Sequence, residues 1–345
     1  ASHAPFGGNV VGIRAAALKY FNRRPEQLSW AEAALLAVLP NAPALLYPGK
    51  NNTLLKQKRD GLLAKLYREG VMSEDSYHLA LAEPLPEKKF DIPTVAPHLL
   101  AKAYREKKGK VCPTYIDGRL QKKINEIVER HTALLSQNYI YNMAVLVAHV
   151  PTGEVRAYVG NSAPRKGSRG NDVDIVQAVR SSGSILKPAL YACMLQSGFI
   201  LPGTLVPDIP SRFGSYSPSN FNRDFKGVVP ARQALAQSLN IPFVRLLKDY
   251  SYARFYDDLK QLGIRSLNRD ADHYGLSLIL GGAETSLWDI CNLYGGMSAV
   301  LNHYNDRDGQ YFDGEYSRLK VWEEYSGAEG QDEEEKNISA DRSVL

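Results

Sequence analysis

The stretch "RSSGSILKPALY", residues 180–191, decides how the rest of the chain is interpreted, because it combines a turn, a helix start and a candidate nucleophile. Ser184 stands three positions before Lys187, and residues three apart share one face of a helix. Gly183 permits a close backbone approach just before the helix, and Pro188 is compatible only with a helix that begins at or next to Ser184. A serine hydroxyl needs a base within hydrogen-bond reach to act as a nucleophile at neutral pH. The stretch therefore contains a candidate nucleophile and base.

The same spacing recurs at Ser317 and Lys320 in "DGEYSRLKVW", where no glycine stands directly before the serine and no proline follows the lysine. Spacing alone therefore does not discriminate between a catalytic pair and a chance one. The glycine and the proline favour Ser184 over Ser317.

A Ser-x-Asn tripeptide could complete such a site, with a hydroxyl that passes protons and an amide that both donates and accepts hydrogen bonds. The chain contains three of them, at residues 136–138, 238–240 and 266–268. The one in "ALAQSLNIPFV" follows an apolar-periodic helix, so its side chains can point into a cleft. We therefore select Ser238 and Asn240.

The pattern of elements predicts an α+β fold. The N-terminal part is helical, with Ser29 and Glu32 in capping-box spacing, and five prolines over residues 84–113 indicate a linker. The apolar segments "NMAVLVAHV" and "GEVRAYVG" then predict an antiparallel hairpin, followed mainly by helices. The first strand of the hairpin is apolar on both faces, so we expect it to be central in its sheet.

Composition restricts the classes of function. A net charge of +5, from 42 basic and 37 acidic residues, is spread along 345 residues, which argues against a nucleic-acid partner. The three cysteines, far apart in sequence, form no metal-binding pair and no disulfide framework. No apolar run approaches the ~20 residues that span a bilayer.

Several blocks together resemble the transpeptidase domain of class A penicillin-binding proteins, closest to their 1C type. These blocks are "SGSILKP", "YSPSNFNRDFKGVVPARQALAQSLNIP" and "YGLSLILGGAETSLWDICNLYGGM". Residues 4–43 are similar to the closing part of the lysozyme-like glycosyltransferase domain of those proteins, and "TYIDGRLQ" resembles their linker. The resemblance implies a helical glycosyltransferase remnant over residues 1–83, a linker region over 84–140 and a transpeptidase domain, related to the serine β-lactamases, over 141–345.

The same resemblance implies that Ser184 is the acylated nucleophile, Lys187 the base, Ser238 the proton relay and Asn240 a substrate-binding amide. The reaction would be D,D-transpeptidation of peptidoglycan stem peptides, inhibited by β-lactams, without a metal or organic cofactor. It would take place on the periplasmic or extracytoplasmic face of a bacterial inner membrane, to which a segment outside this chain would anchor the parent protein. Other cell-wall synthesis proteins are possible partners.

Two departures from the family pattern leave alternatives open. The glycosyltransferase glutamates belong upstream of Gly7, and the third transpeptidase motif, Lys-Thr/Ser-Gly, is absent, so we expect a chain cut at both ends, inactive in glycosyl transfer and slow in acylation. A non-catalytic penicillin-binding scaffold and a serine D,D-carboxypeptidase or β-lactamase are the alternatives.

Overall fold

The computed structural model describes residues 3–7, 9–87, 89–91, 94–108, 110–310, 316 and 318–323. Ser317, the serine of the second Ser-x-x-Lys spacing, lies outside the described residues. The chain divides into two compact units, Ala1–Thr94 and Val95–Leu345.

The first unit is helical, as the sequence predicts. Ser29 accepts a hydrogen bond from the Glu32 amide, and the Glu32 side chain accepts one from the Ser29 amide, so the predicted capping box is present. Two apolar clusters fill the unit, one of which surrounds Tyr20 and Leu35. Its helices are α1 (Ile13–Phe21), α2 (Trp30–Val38), α3 (Asn52–Arg68) and α4 (Glu74–Ala82).

The second unit mixes helices with short antiparallel strand pairs. Its helices are α5 (Pro97–Glu106), α6 (Gly118–Leu135), α7 (Lys187–Gln196), α8 (Ala231–Ala236), α9 (Asn240–Tyr250), α10 (Tyr252–Gln261), α11 (Ala271–Tyr274) and α12 (Leu287–Asp306). Its strands are β1 (Val145–Ala148), β2 (Val155–Val159), β3 (Arg180–Ser181), β4 (Leu205–Asp208), β5 (Gly227–Pro230) and β6 (Glu284–Thr285). In the described part of the chain, these strands form the pairs β1–β2, β3–β6 and β4–β5.

The proline-rich segment differs from the predicted linker. Residues 97–106 form α5, whose Leu99 is buried in a cluster with Val155 and Tyr158 of β2. Pro97 occupies the first turn of this helix, where its fixed φ is favourable and its missing N–H costs nothing. The prolines therefore mark a helix start as well as a boundary. The compact units divide between Thr94 and Val95, inside the predicted linker region 84–140, whose own bounds stay a prediction.

The predicted hairpin is present, but within the described ranges its first strand has one neighbour and is not central. β1 pairs with β2 in antiparallel register, from Val145 opposite Val159 to Ala148 opposite Val155. All four residues of β1 are only half-buried, whereas β2 is mostly buried. Among the described residues β1 pairs with no other strand, so the apolar character of both its faces does not correspond to burial on both sides.

A large apolar cluster forms the core of the second unit and positions the candidate site. It joins the buried faces of α7, α9 and α10 to β4, β5 and α12. The N-terminal ends of α7 and α9 lie next to this cluster, with Leu186, Val244 and Phe243 buried in it. None of the helices in the described ranges is long and apolar enough to cross a membrane.

Candidate active site

Ser184 lies in the turn that leads into α7. The helix begins at Lys187, three residues after Ser184, whereas the sequence predicted a helix that begins at or next to Ser184. The Lys187 amide donates to the Ser184 carbonyl oxygen (3.1 Å), and Pro188 occupies the first helical turn, as the sequence predicts. The Ser184 side chain is half-buried, and its hydroxyl makes no hydrogen bond to any residue that the structure describes. The turn therefore contains, shortly before the N-terminus of α7, a serine hydroxyl that is not hydrogen-bonded to any described residue.

Close backbone packing holds this turn in place. The Ser182 amide donates to the Ala283 carbonyl (3.0 Å), and the Ser181 hydroxyl donates to the Gly281 carbonyl (2.7 Å). Gly281 has a φ of +104°, and a Cβ there would lie 2.5 Å from Ser181 Oγ and 2.8 Å from the Gly183 nitrogen. Only glycine fits this approach. A Cβ at Gly183 would meet no atom within 4 Å, so the close approach that the sequence suggested for Gly183 depends on Gly281 instead, and Gly183 contributes a positive φ of +55°.

A second support for the turn comes from α12. The Tyr294 hydroxyl donates to the Ile185 carbonyl (2.6 Å), directly after Ser184. Burial raises the pKa of this phenol above its usual value, so it remains a donor at neutral pH. The turn is therefore anchored on both sides of Ser184.

Ser238 and Asn240 form the junction between α8 and α9. Ser238 has a left-handed backbone (φ +52°), which is uncommon for a residue other than glycine, asparagine or aspartate. Asn240 is the first residue of α9, and its side-chain amino group donates to the Ser219 carbonyl (2.9 Å). This Ser238–Asn240 turn therefore presents a serine hydroxyl, a serine carbonyl and an asparagine carbonyl in one place.

Lys187 brings this turn to the first turn of α7. Its Nζ donates to the Ser238 carbonyl (2.8 Å), to Ser238 Oγ (3.2 Å) and to Asn240 Oδ1 (2.7 Å). The amine also lies 5.6 Å from the centre of the Phe243 ring. The three donors of an ammonium group are thereby matched by three acceptors.

Lys187 is 1% exposed, which is rare for a lysine. Burial disfavours the charged form of the amine and lowers its pKa to about 8. About a tenth of the amines is therefore neutral at pH 7, and a neutral amine can accept a proton.

The structure thus brings together three of the four residues selected from the sequence. Lys187, Ser238 and Asn240 are joined by hydrogen bonds, and Ser184 is joined to Lys187 by the turn of the main chain but not by a side-chain hydrogen bond within the described residues. The roles assigned to all four stay predictions.

Sequence reasoning missed two supporting residues, Asn220 and Asp208. Asn220 Oδ1 accepts from the Asn240 amide (2.9 Å), and Asn220 Nδ2 donates to Asp208 Oδ1 (2.7 Å). One signal in the sequence could have indicated them: the residue before Asn240 is Leu239, which offers no side-chain cap, so a helix that starts at Asn240 needs a cap from elsewhere.

No group of three or more His, Cys, Asp or Glu side chains that could hold a metal ion occurs among the residues described above. The polar groups of the candidate site are hydroxyls, amides and one amine, which suit proton transfer and hydrogen bonding.

Two family models match this chain in the order that the sequence suggested. "Transglycosylase" matches residues 2–67, and "Penicillin binding protein transpeptidase domain" matches residues 143–298. The second match includes Ser184, Lys187, Ser238 and Asn240. The predicted α+β class, with a helical transglycosylase part followed by a transpeptidase domain, is confirmed.

Individual relatives agree with these matches. The chain is 34% identical over 293 residues to penicillin-binding protein 1C of Escherichia coli, which covers 85% of this chain and 38% of the relative. It is 28% identical over 299 residues to penicillin-binding protein 1F of Bacillus subtilis, covering 81% of this chain and 40% of that protein. The chain therefore spans about two fifths of the length of these relatives.

A solved structure shares the fold. The crystal structure of penicillin-binding protein 1A from Haemophilus influenzae superposes with a TM-score of 0.56 at 17% identity, covering 85% of this chain and 59% of that one. At this identity the match concerns the fold alone.

Proposed function

We propose that this chain, which belongs to the class A penicillin-binding protein family, carries the acyl-transfer site of a serine D,D-transpeptidase, with Ser184 as the nucleophile. The observation that carries this proposal is the burial of Lys187, three residues after Ser184, with its amine hydrogen-bonded to the Ser238–Asn240 turn. A buried lysine with a lowered pKa, three residues after an uncommitted serine hydroxyl, is a candidate general base next to its nucleophile.

In the first half-reaction, Ser184 Oγ attacks the carbonyl carbon of the D-Ala-D-Ala peptide bond of a stem peptide. The neutral amine of Lys187 accepts the hydroxyl proton, and the new C–O bond forms as the serine becomes an ester. When the C–N bond breaks, the terminal D-alanine leaves and takes a proton at its nitrogen. Ser238, 3.2 Å from Lys187 Nζ, is placed to pass that proton from the lysine to the leaving amine.

In the second half-reaction, an amine of a neighbouring stem peptide attacks the ester carbonyl. Its proton moves back through Ser238 and Lys187 to Ser184 Oγ, which leaves as the free hydroxyl. Asn240, whose side chain already holds Lys187 through Oδ1, would orient the peptide with its amide. The net result is an exchange of one peptide bond for another, without oxidation or reduction of any atom.

A β-lactam would react at the same serine, because its ring carbonyl resembles the scissile amide and the opened ring remains attached. The substrate and localisation belong to the same proposal: peptidoglycan stem peptides, at the periplasmic or extracytoplasmic face of a bacterial inner membrane. Other cell-wall synthesis proteins are proposed partners, while no metal or organic cofactor takes part in the steps given above.

Labelling with a fluorescent penicillin, followed by peptide mapping, tests the proposal. We expect a stable adduct on Ser184 that is absent from Ser184→Ala and unchanged in Ser317→Ala, the control with the same Ser-x-x-Lys spacing. An adduct that persists in Ser184→Ala would refute the assignment. No adduct on the wild-type chain would favour a non-catalytic scaffold, and rapid release of hydrolysed penicillin would favour a carboxypeptidase or β-lactamase.

A further inference from the structure

The first turn of α9 is capped by a residue from another loop. The first amides of an α-helix have no partner within the helix, and Leu239, at the N-cap position, has no side-chain acceptor. Asn220 supplies the acceptor instead: its Oδ1 receives the Asn240 amide (2.9 Å) and the Ile241 amide (3.3 Å). The start of α9 is therefore fixed by a side chain twenty residues earlier in the chain.

A buried carboxylate determines the orientation of that cap. Asp208, at the end of β4, is 0% exposed, and its Oδ1 accepts from Asn220 Nδ2 (2.7 Å) while its Oδ2 accepts from the Lys226 amide (3.0 Å). A carboxylate can only accept hydrogen bonds, so Asn220 has to turn its amino group to Asp208 and its oxygen to the helix. The Asp224 carbonyl accepts the second hydrogen of the amino group (2.9 Å).

The same hydrogen-bond network reaches the amine of Lys187 in the candidate site. Asn240, whose backbone Asn220 holds, accepts from Lys187 Nζ through its side chain (2.7 Å), and Ser238, two residues earlier, provides the other two acceptors. The left-handed backbone of Ser238 is strained and persists only where its surroundings determine it. The cap on α9 is such a surrounding, because it fixes the residue that ends the turn.

We propose that Asn220 and Asp208 are positioning residues, which hold the Ser238–Asn240 turn against Lys187 and thereby support acylation at Ser184. The part of this inference that concerns acylation rests on the proposed function. Neither residue touches the reacting atoms, and both act through the backbone of Asn240.

An exchange of the two side chains tests the pairing. In Asn220→Asp, two carboxylates face each other in a buried place, and we expect the second-order rate of penicillin acylation to fall by at least about tenfold, through loss of a hydrogen bond to a charged group. Asp208→Asn removes the acceptor-only partner, so Asn220 is free to flip, and the rate falls by a smaller factor.

The double variant Asp208→Asn/Asn220→Asp restores the pattern in reverse. Asn at 208 can donate to Asp at 220 and accept from the Lys226 amide, and Asp at 220 still caps the helix, where its charge is favoured. At the Asp224 carbonyl, however, a carboxylate oxygen now faces another acceptor, so this hydrogen bond is lost and the two oxygens have to move apart. We therefore expect partial recovery, with an acylation rate at least about threefold above that of Asn220→Asp.

Asp224→Asn is the matched control. It is the same chemical change in the same loop, but the Asp224 side chain is exposed and its contact with Asn220 uses the main-chain carbonyl. We expect its acylation rate and thermal midpoint to equal those of wild type. Wild-type rates in both single variants at positions 208 and 220 would overturn the inference.

Hydrogen exchange separates positioning from general destabilisation and needs no turnover. The amides of Asn240 and Ile241 should exchange faster in both single variants and regain protection in the double variant, while amides of α6, remote from the cap in sequence, keep their wild-type rates. A rate loss without faster exchange at these two amides, or a double variant that recovers neither, would overturn the inference.

If the single variants do not fold, a folded and reactive double variant supports it. A wild-type chain that fails to react with penicillin would count against the proposed function, and exchange would still decide whether Asn220 and Asp208 position the turn.

Discussion

Ser184 and Ser238 are two serines linked to one lysine, Lys187, the first through the main chain and the second through side-chain hydrogen bonds, and their environments are opposite. The Ser184 hydroxyl is half-buried and has no hydrogen-bond partner among the described residues. Ser238 gives Lys187 two acceptors, its hydroxyl and its carbonyl, and has a left-handed backbone. One serine is therefore left available, whereas the other is part of the structure that holds the amine.

This difference shows what the Ser-x-x-Lys spacing does and does not provide. The spacing places Lys187 one turn from Ser184 along the chain. The hydrogen-bond acceptors of the amine, however, come from residues 51 and 53 positions further along. We therefore expect the reactivity of a serine in this pattern to depend on a distant turn, which spacing alone does not reveal for Ser317 and Lys320.

The largest expected effect on the acylation rate of the folded chain comes from removing the hydroxyl of Ser238. Ser238→Ala takes away one acceptor of Lys187 and the proposed proton relay, and positioned proton transfer contributes at least about 10²-fold. We expect penicillin acylation to slow by roughly that factor, with the adduct still on Ser184. Ser197→Ala, which removes a hydroxyl at the other end of α7, is the control. Equal rates for Ser238→Ala and wild type would contradict the distinction between the two serines.

The pH dependence of acylation tests the protonation state of the Lys187 amine. Burial lowers the pKa of Lys187 to about 8, and only the neutral amine accepts the proton of Ser184. Below that pH the neutral fraction, and with it the rate, should rise about tenfold for each pH unit and then level off above it. Stopped-flow acylation between pH 6 and 9 measures this profile. Lys187→Met should be slow and show no inflection near pH 8, and a wild-type profile that falls with rising pH would contradict a neutral base.

Gly281→Ala tests whether the close backbone packing at Gly281 holds Ser184 in position. The added Cβ would lie 2.5 Å from Ser181 Oγ at a positive φ, so the segment that leads to Ser184 has to move. We expect acylation to fall about fivefold and the thermal midpoint to drop by several degrees, in line with backbone strain of ~1–3 kcal/mol. Gly275→Ala is the control, because Gly275 also has a positive φ but no atom lies within 4 Å of the added Cβ. Equal acylation rates for the two variants would show that strain alone, and not displacement of the turn, matters.

Tyr294→Phe is expected to have the smallest effect. It removes the hydrogen bond to the Ile185 carbonyl, worth about 1 kcal/mol, so acylation should slow by about threefold to fivefold. Tyr252→Phe removes a comparable bond to Asp272 on the exposed surface and should leave the rate unchanged. A change no larger than that of the control would mean that β3 and Gly281 suffice to hold Ser184.

Local signals in the sequence were sufficient for much of the fold. The capping box of Ser29 and Glu32 depends on neighbours in sequence and is present in the structure. A helix start near Pro188 is present too, but α7 begins at Lys187 and not at or next to Ser184. The sequence failed where the partner is distant. The apolar character of β1 predicted a central strand, but burial depends on what packs against the strand, and a proline-rich segment predicted as linker contains the buried Leu99 of α5.

The candidate site divides in the same way. Lys187, Ser238 and Asn240 were selected from residue type and context, and the structure joins them. Asn220 and Asp208 could not be selected, because a side chain that caps a helix from another loop leaves no periodic trace in the sequence. The missing cap at Leu239 was the only local sign, and it indicates a need without identifying the residue that fills it.

The acceptors of Lys187 also impose an order on folding. Its amine cannot leave water until the junction of α8 and α9 has docked, since every hydrogen bond it makes lies beyond residue 237. Desolvating the amine before that point would bury a charge without partners, which is too costly to persist. We therefore expect docking of α7 and formation of the Ser238–Asn240 turn to be coupled, so that a chain in which this turn has not formed would leave the lysine in water.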